Sequence, residues 1–199
     1  MTYSVAHLGE LDRVPVMEGL EWRPIRRRLG ITAFGVNAYT AEKVGDWIVE
    51  EHTEEQLGHE EMYMVVKGKA TFTLGSETVD APAGTIVFIS DPQMKRKAVA
   101  DEPETTVLAV GAKPGEAFTP SAWEWYFQAY AQAPEDGIET MRRGIAVDGE
   151  RSPLYYHLAC LEARVGRLDD ARAHLARAIE LDPGAAEHAA KDDDLKEVR

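Results

Sequence analysis

The chain has 199 residues, 44% of them hydrophobic, and a formal net charge of −13. That length accommodates one large domain or two small ones around a buried core. The acidity argues against nucleic acid as a partner, because phosphates would be repelled, and no window approaches the roughly 18 uncharged apolar residues of a membrane span.

The opening MTYSVAHLGELDR has neither a basic n-region nor an apolar h-region, so no secretory signal is expected. A single cysteine, Cys160, leaves no intramolecular disulfide and suits a reducing cytoplasm. Its setting, LACLEA, reads as that of a small core residue. The basic run WRPIRRRLG at 22–30 reads as a solvated strand or a rim of ion pairs, with a patch for an acidic partner as the functional alternative. The surrounding segment 14–40 is a candidate for strand exchange in a homodimer or for an extra sheet.

From about residue 30 to 112 the chain is written in short β-branched and aromatic runs: ITAFGVNAYTA, DWIVEEH, EMYMVV, KATFTLG, TIVFIS, RKAVA and TTVLAVG. Turn residues punctuate them at GSE, DAPAG, SDP and DEPE. Alternation places Ala70, Phe72 and Leu74 on one face. Short strands with turns at this spacing predict a closed antiparallel sandwich or barrel.

The pattern changes across AKPGEAFTPS, 112–121, after which apolar residues recur at three and four. The expected domains are therefore 1–115, a β-barrel with an N-terminal extension, and 118–199, a set of helical hairpins. Ser121 and Ser152 are expected to cap helices. Shifting the chain by 34 residues lays EDGIETMRRGIAVDG on DDARAHLARAIELDP, pairing Gly137 with Ala171, Met141 with Leu175 and Gly144 with Ala178. Small residues where helices touch, with large apolar ones a turn later, resemble the tetratricopeptide repeat. Tyr155, Ala159, Gly166, Ala171, Leu175, Ala178 and Pro183 stand at that family's spacing, and the 118–151 copy is looser. The tail after Pro183 reads as a truncated third unit. The resemblance implies a protein or peptide partner for this region, while the aromatics Trp123 to Tyr130 are expected to pack it against the barrel.

Six carboxylates and two histidines crowd into EEHTEEQLGHEE, residues 50–61, immediately before the strand MYMVVKG. Together with DAPAGTIVFISDPQMKRK, this resembles the two motifs of the cupin family, whose histidines and glutamate converge on one divalent metal inside a double-stranded β-helix. Glu61, Gly68 and Gly84 fit the pattern, His52 is one residue late, Glu54 stands where a second histidine is usual, and Lys95 where the third is usual. Strand alternation puts positions 52 and 54 on one face and 59 and 61 on one face.

Three outcomes stay open from the residues. His52, Glu54, His59 and Glu61 supply an acceptable ligand set for one divalent Fe, Mn, Ni or Zn ion. An ion pair of Lys95 with Glu61 across the interior makes a metal-free pocket for a small molecule, lined by His52, Glu61 and Lys95. The third outcome is a hydrated rim. Two functions follow: a cupin-type binding or sensing protein carrying a helical interaction module, or a metal-dependent cupin enzyme with Glu60 or Lys95 as acid or base. The expected function is the non-catalytic binder, as a homodimer.

Overall fold

A computed structural model describes residues 4–198, and the chain divides into two compact units between Thr119 and Pro120. Among the described residues, the first is built from ten antiparallel strands in two sheets. A six-stranded sheet runs in the order β1 (Val14–Met17), β2 (Leu20–Arg23), β3 (Gly35–Ala41), β10 (Thr105–Ala112), β5 (Glu60–Lys67), β8 (Ile86–Ile89). A four-stranded sheet runs β4 (Trp47–His52), β9 (Arg96–Ala100), β6 (Lys69–Leu74), β7 (Glu77–Pro82).

Period-two patterning builds the core between the sheets. Val65 of β5, Ala70 and Phe72 of β6, Ala98 of β9 and Val107 of β10 are all fully buried in it. Burying a side chain the size of Phe72 stabilises by about 2–3 kcal/mol. The β5–β6 connection turns at Gly68, whose φ of +72° and closeness to Thr105 leave no room for a Cβ.

Two features of this unit depart from the sequence reading, and a third gives the N-terminal segment its place. ETVDAP forms β7, because Val79 and Ala81 face the interior although Asp and Pro give the segment a turn-like composition. The segment 14–40 adds β1, β2 and β3 to the chain's own larger sheet. Within the basic run the chain leaves β2 and forms a five-residue helix, α1 (Ile25–Leu29), and Arg23 and Arg26 are 5% and 7% exposed rather than solvated.

The second unit contains α2 (Trp123–Tyr130), α3 (Pro134–Asp148), α4 (Ser152–Arg164), α5 (Leu168–Leu181) and the short α6 (Ala185–Ala189). α2 and α3 meet as an antiparallel pair: Gly137 faces the Ala129 carbonyl, and Gly144 faces the Trp125 indole seven residues further along. In the following pair, α4 and α5, the Ser152 hydroxyl donates to the Ala178 carbonyl at 2.9 Å, and His174 reaches Glu162. Positions related by the 34-residue shift are alike in burial. Gly137 and Ala171, Met141 and Leu175, and Gly144 and Ala178 are all buried.

Neither expected serine cap forms. α2 begins after Ala122 and α4 after Arg151, and the Ser152 hydroxyl is spent on α5 instead. Trp125, Tyr126 and Tyr130 pack into the core of the helical unit with Ile138, Met141 and Leu158. Cys160 is buried with Ala171, Leu175, Leu195 and Val198, so the tail covers the α4–α5 pair. Among the described residues no helix is long and apolar enough to cross a membrane.

Candidate functional site

The acidic stretch folds back at one end of the first unit. His52 ends β4 and is paired across the sheet with Arg96 of β9, so both side chains project to the interior. The chain then turns: the Glu54 amide donates to the Pro92 carbonyl, and the Leu57 and Gly58 amides donate to the Glu54 carbonyl. That turn carries Glu54 back over His52. Glu61 and Tyr63 enter from β5 in the opposite sheet, on the inward face that they share with Val65.

Three donors converge. His52 Nε2 lies 3.7 Å from Glu54 Oε1 and 3.6 Å from Glu61 Oε2, and ligand atoms of the three residues all lie within 4.8 Å of one another. His52 Nδ1 is 2.8 Å from the Glu50 carbonyl, which only accepts, so Nδ1 carries the proton and Nε2 is the atom turned to the carboxylates. His59 Nδ1 stands 3.2 Å from the far oxygen of Glu54, outside the triad, and that buried oxygen has no hydrogen-bond donor among the described residues. The Tyr63 hydroxyl donates to Glu61 Oε2 at 2.5 Å.

The interior cation is Arg96. Its side chain has no exposed surface, its Nε is 3.7 Å from Glu61 Oε2, and its three nitrogens have no hydrogen-bond acceptor among the described residues. Lys95, expected at this place, lies on the outer face, 61% exposed and 2.7 Å from Glu51. The inward position is one residue further along, and in a strand one residue exchanges inside for outside. Arg96, Ala98 and Ala100 form the buried face of β9, and Lys97 joins Lys95 on Glu51. That alternation was present in KRKAVA and identifies the inward cation. Glu60 takes the outer face of β5 by the same rule, opposite in parity to Glu61, and is not part of the site.

Burial and mutual repulsion separate the two carboxyls. Glu54 is pushed up to about 7, first by burial and then by the charge of Glu61. Burial acts the same way on Glu61, but hydrogen bonds from His52 and Tyr63 and the charges of His52 and Arg96 outweigh it and hold Glu61 below its ordinary value. His52 is pulled down by burial and raised overall by its bonds to Glu61 and the Glu50 carbonyl. His59 is lowered by burial, and the Tyr63 phenol is raised well above its ordinary value by burial and by Glu61. One firmly ionised carboxylate beside one that titrates near neutrality is a pair able to hold and deliver a proton.

A second convergence lies in the helical unit, where Cys160, Asp192 and Asp194 approach one another. Its polar atoms are already engaged. The Tyr156 hydroxyl donates to Asp192 at 2.8 Å, Arg164 pairs with Asp194 at 2.6 Å, and burial pushes the Cys160 thiol up to about 12.

No protein-family model matches this sequence, and no curated protein matches it. Among solved structures, the chain is similar to KdgF from Halomonas sp., with 18% identity, a TM-score of 0.48, and 61% of this chain and 99% of that one covered. It is also similar to a sugar phosphate isomerase from a cupin superfamily of Silicibacter pomeroyi, with 21% identity, a TM-score of 0.47, and 55% and 76% covered. A cupin protein of Bacteroides fragilis is 23% identical over 58% of this chain and 88% of its own, with a TM-score of 0.43.

Proposed function

We propose that the β-unit is a cupin-type, metal-dependent site for a small polar molecule, with His52, Glu54 and Glu61 as the protein ligands of one divalent first-row ion. The observation that carries this reading is the spacing of the three donors. Metal–ligand bonds of about 2.0–2.2 Å in tetrahedral geometry separate neighbouring donors by about 3.3–3.6 Å. His52 Nε2 lies 3.7 and 3.6 Å from the two carboxylate oxygens, and its Nδ1 is anchored on a backbone carbonyl as metal-ligating imidazoles usually are. One nitrogen and two oxygens suit Fe, Mn or Zn, and three protein ligands leave positions open.

When bound, the metal supplies Lewis-acid polarisation of a substrate oxygen. The chain's own groups do the rest. Tyr63 donates to Glu61, Arg96 lies beside it, and His59 stands next to Glu54. Two carboxylates against Arg96 and a dication leave the site with one positive charge, which favours a molecule bearing an acid group.

A second reading rests on one observation. Arg96 is a fully buried cation beside Glu61, and a fixed guanidinium in place of a metal makes the same pocket a metal-free binding site. Equilibrium dialysis of chelator-treated protein against Zn²⁺, Mn²⁺ and Fe²⁺ separates the two. Saturable uptake of one ion per chain, lost in His52→Ala and Glu61→Ala variants, supports the metal site. No uptake by folded protein leaves the binder.

A further inference from the structure

The larger sheet is bare on its inner face beside Glu61. β3, β10 and β5 set Gly35, Gly111 and Glu61 side by side in one row. All three share the parity of Tyr39, Val107 and Val65, which face the core. The two glycines therefore leave a floor of backbone leading to the carboxylate. Phe118, from the segment that follows β10, rests on that floor: a Cβ on Gly35 would lie 3.0 Å from its Cε2 and Cζ. A Cβ on Gly111 would lie 3.2 Å from Glu61 Cγ, so the floor continues to the site.

The same segment touches the turn that carries Glu54. Lys113 Cδ and Cε lie 3.5 Å from where a Cβ on Gly58 would stand. The Phe118 ring centroid is 6.1 Å from that of His59, whose Nδ1 is 3.2 Å from Glu54, and 5.7 Å from the buried Arg26 guanidinium. Under this cover the side chains of Glu54, Glu61 and His59 keep 12%, 14% and 15% of their surface open. The cover itself is slight. Residues 113–119 form no strand or helix, all but Phe118 are exposed, and Gly115 turns the chain with a φ of +74°. A segment with so few buried contacts opens at low cost.

We propose that residues 113–119 are a strap across the mouth of the candidate site, latched by Phe118, and that a small molecule reaches His52, Glu54 and Glu61 when the strap lifts. What the strap admits rests on the proposed small-molecule site; the closure itself stands on the contacts of Phe118 and Lys113. Glycine inside a strand marks a place where another group approaches closely, and at Gly35 that group is the Phe118 ring. An apolar anchor alone is satisfied anywhere in the core. This one is spent on the inner face of β3, at the end where the polar groups converge. Lifting it uncovers the Gly35 and Gly111 backbone next to Glu61, a flat surface for the body of a molecule whose polar end meets the donors. Closing it again shuts that molecule away from water.

The test is carbethoxylation of the chelator-treated full chain by diethyl pyrocarbonate. Peptide mass spectrometry reads the rate at His59 against that at His188, which is exposed in the helical unit. Phe118→Ala removes the latch, and Phe118→Leu keeps part of it. The proposal predicts slow reaction at His59 in wild type, about ten-fold faster or more in Phe118→Ala, and an intermediate rate in Phe118→Leu, with His188 unchanged. Far-UV dichroism and the urea midpoint show whether each variant is folded, and if the alanine variant is not, the leucine variant decides. His59 that reacts in wild type as fast as His188 overturns the proposal, because the mouth is then open. So does a rate that the folded variants leave at the wild-type value. The probe needs no metal, so a strap that does not close and an ion that does not bind are read separately.

Discussion

Acidification should destabilise the helical unit through one histidine. His157 of α4 is packed among three tyrosines: its ring centroid is 4.0 Å from that of Tyr126, 5.5 Å from Tyr130 and 5.3 Å from Tyr156. Its Nδ1 pairs with the Tyr130 hydroxyl at 2.9 Å. Burial lowers it to about 4, with Asp192 opposing and Arg164 adding to the effect. Unfolded, the same side chain titrates near 6.5, so between these values the unfolded state binds the extra proton and folding loses stability as pH falls. Above about pH 6.5 the contribution is fully present. The whole shift is worth about 3 kcal/mol, of which about 2 kcal/mol disappears between about pH 7.5 and pH 5. The assay is urea denaturation followed by the helical far-UV signal, for wild type and His157→Gln, across that range. Wild type should lose about 2 kcal/mol more than the variant. Parallel pH profiles would show that the imidazole is not held neutral and would refute the reasoning.

Three further outcomes follow from packing and charge. Gly137→Ala puts a Cβ 2.7 Å from the Ala129 carbonyl oxygen, a backbone atom that retreats only with α2. The overpacking cost exceeds the gain of about 1 kcal/mol in helix propensity, so the thermal midpoint falls, and an unchanged or higher midpoint contradicts the close contact. In chelator-treated protein, Arg96→Met leaves the Glu61 carboxylate without its buried partner and costs about 3 kcal/mol. Lys95→Met, on the outer surface, costs under about 0.5 kcal/mol, and equal losses in urea denaturation would contradict the inside–outside assignment of β9. Cys160, buried with its thiol raised to about 12, reacts with a thiol-specific reagent only as the helical unit opens. Native-state labelling at the rate of an exposed thiol would contradict this placement.

Where local patterning decides the structure, the sequence was readable. KATFTL alternates, and Ala70 and Phe72 are buried as that alternation requires. The helical residues paired by a 34-residue shift are buried alike, because both sets sit where helices touch. β7 was not readable, since Asp80 and Pro82 on an edge strand look the same in sequence as in a turn. The candidate site was half readable. Composition located His52, Glu54 and Glu61, but their convergence depends on a turn that returns Glu54 over β4 and on two sheets facing each other. Neither arrangement has a local signature. Arg96 was missed for a smaller reason: a motif alignment one residue out reverses every side chain of a strand, and Lys95 then stands in for the neighbour that points inward.

The measurement that bears most directly on the metal site is elemental analysis of the protein isolated without chelators or a histidine tag. The donor geometry of His52, Glu54 and Glu61 predicts close to one equivalent of Fe, Mn or Zn per chain, and its loss in the His52→Ala, Glu61→Ala double variant. A folded wild type carrying no stoichiometric metal would contradict it and make Arg96 the fixed cation of the site.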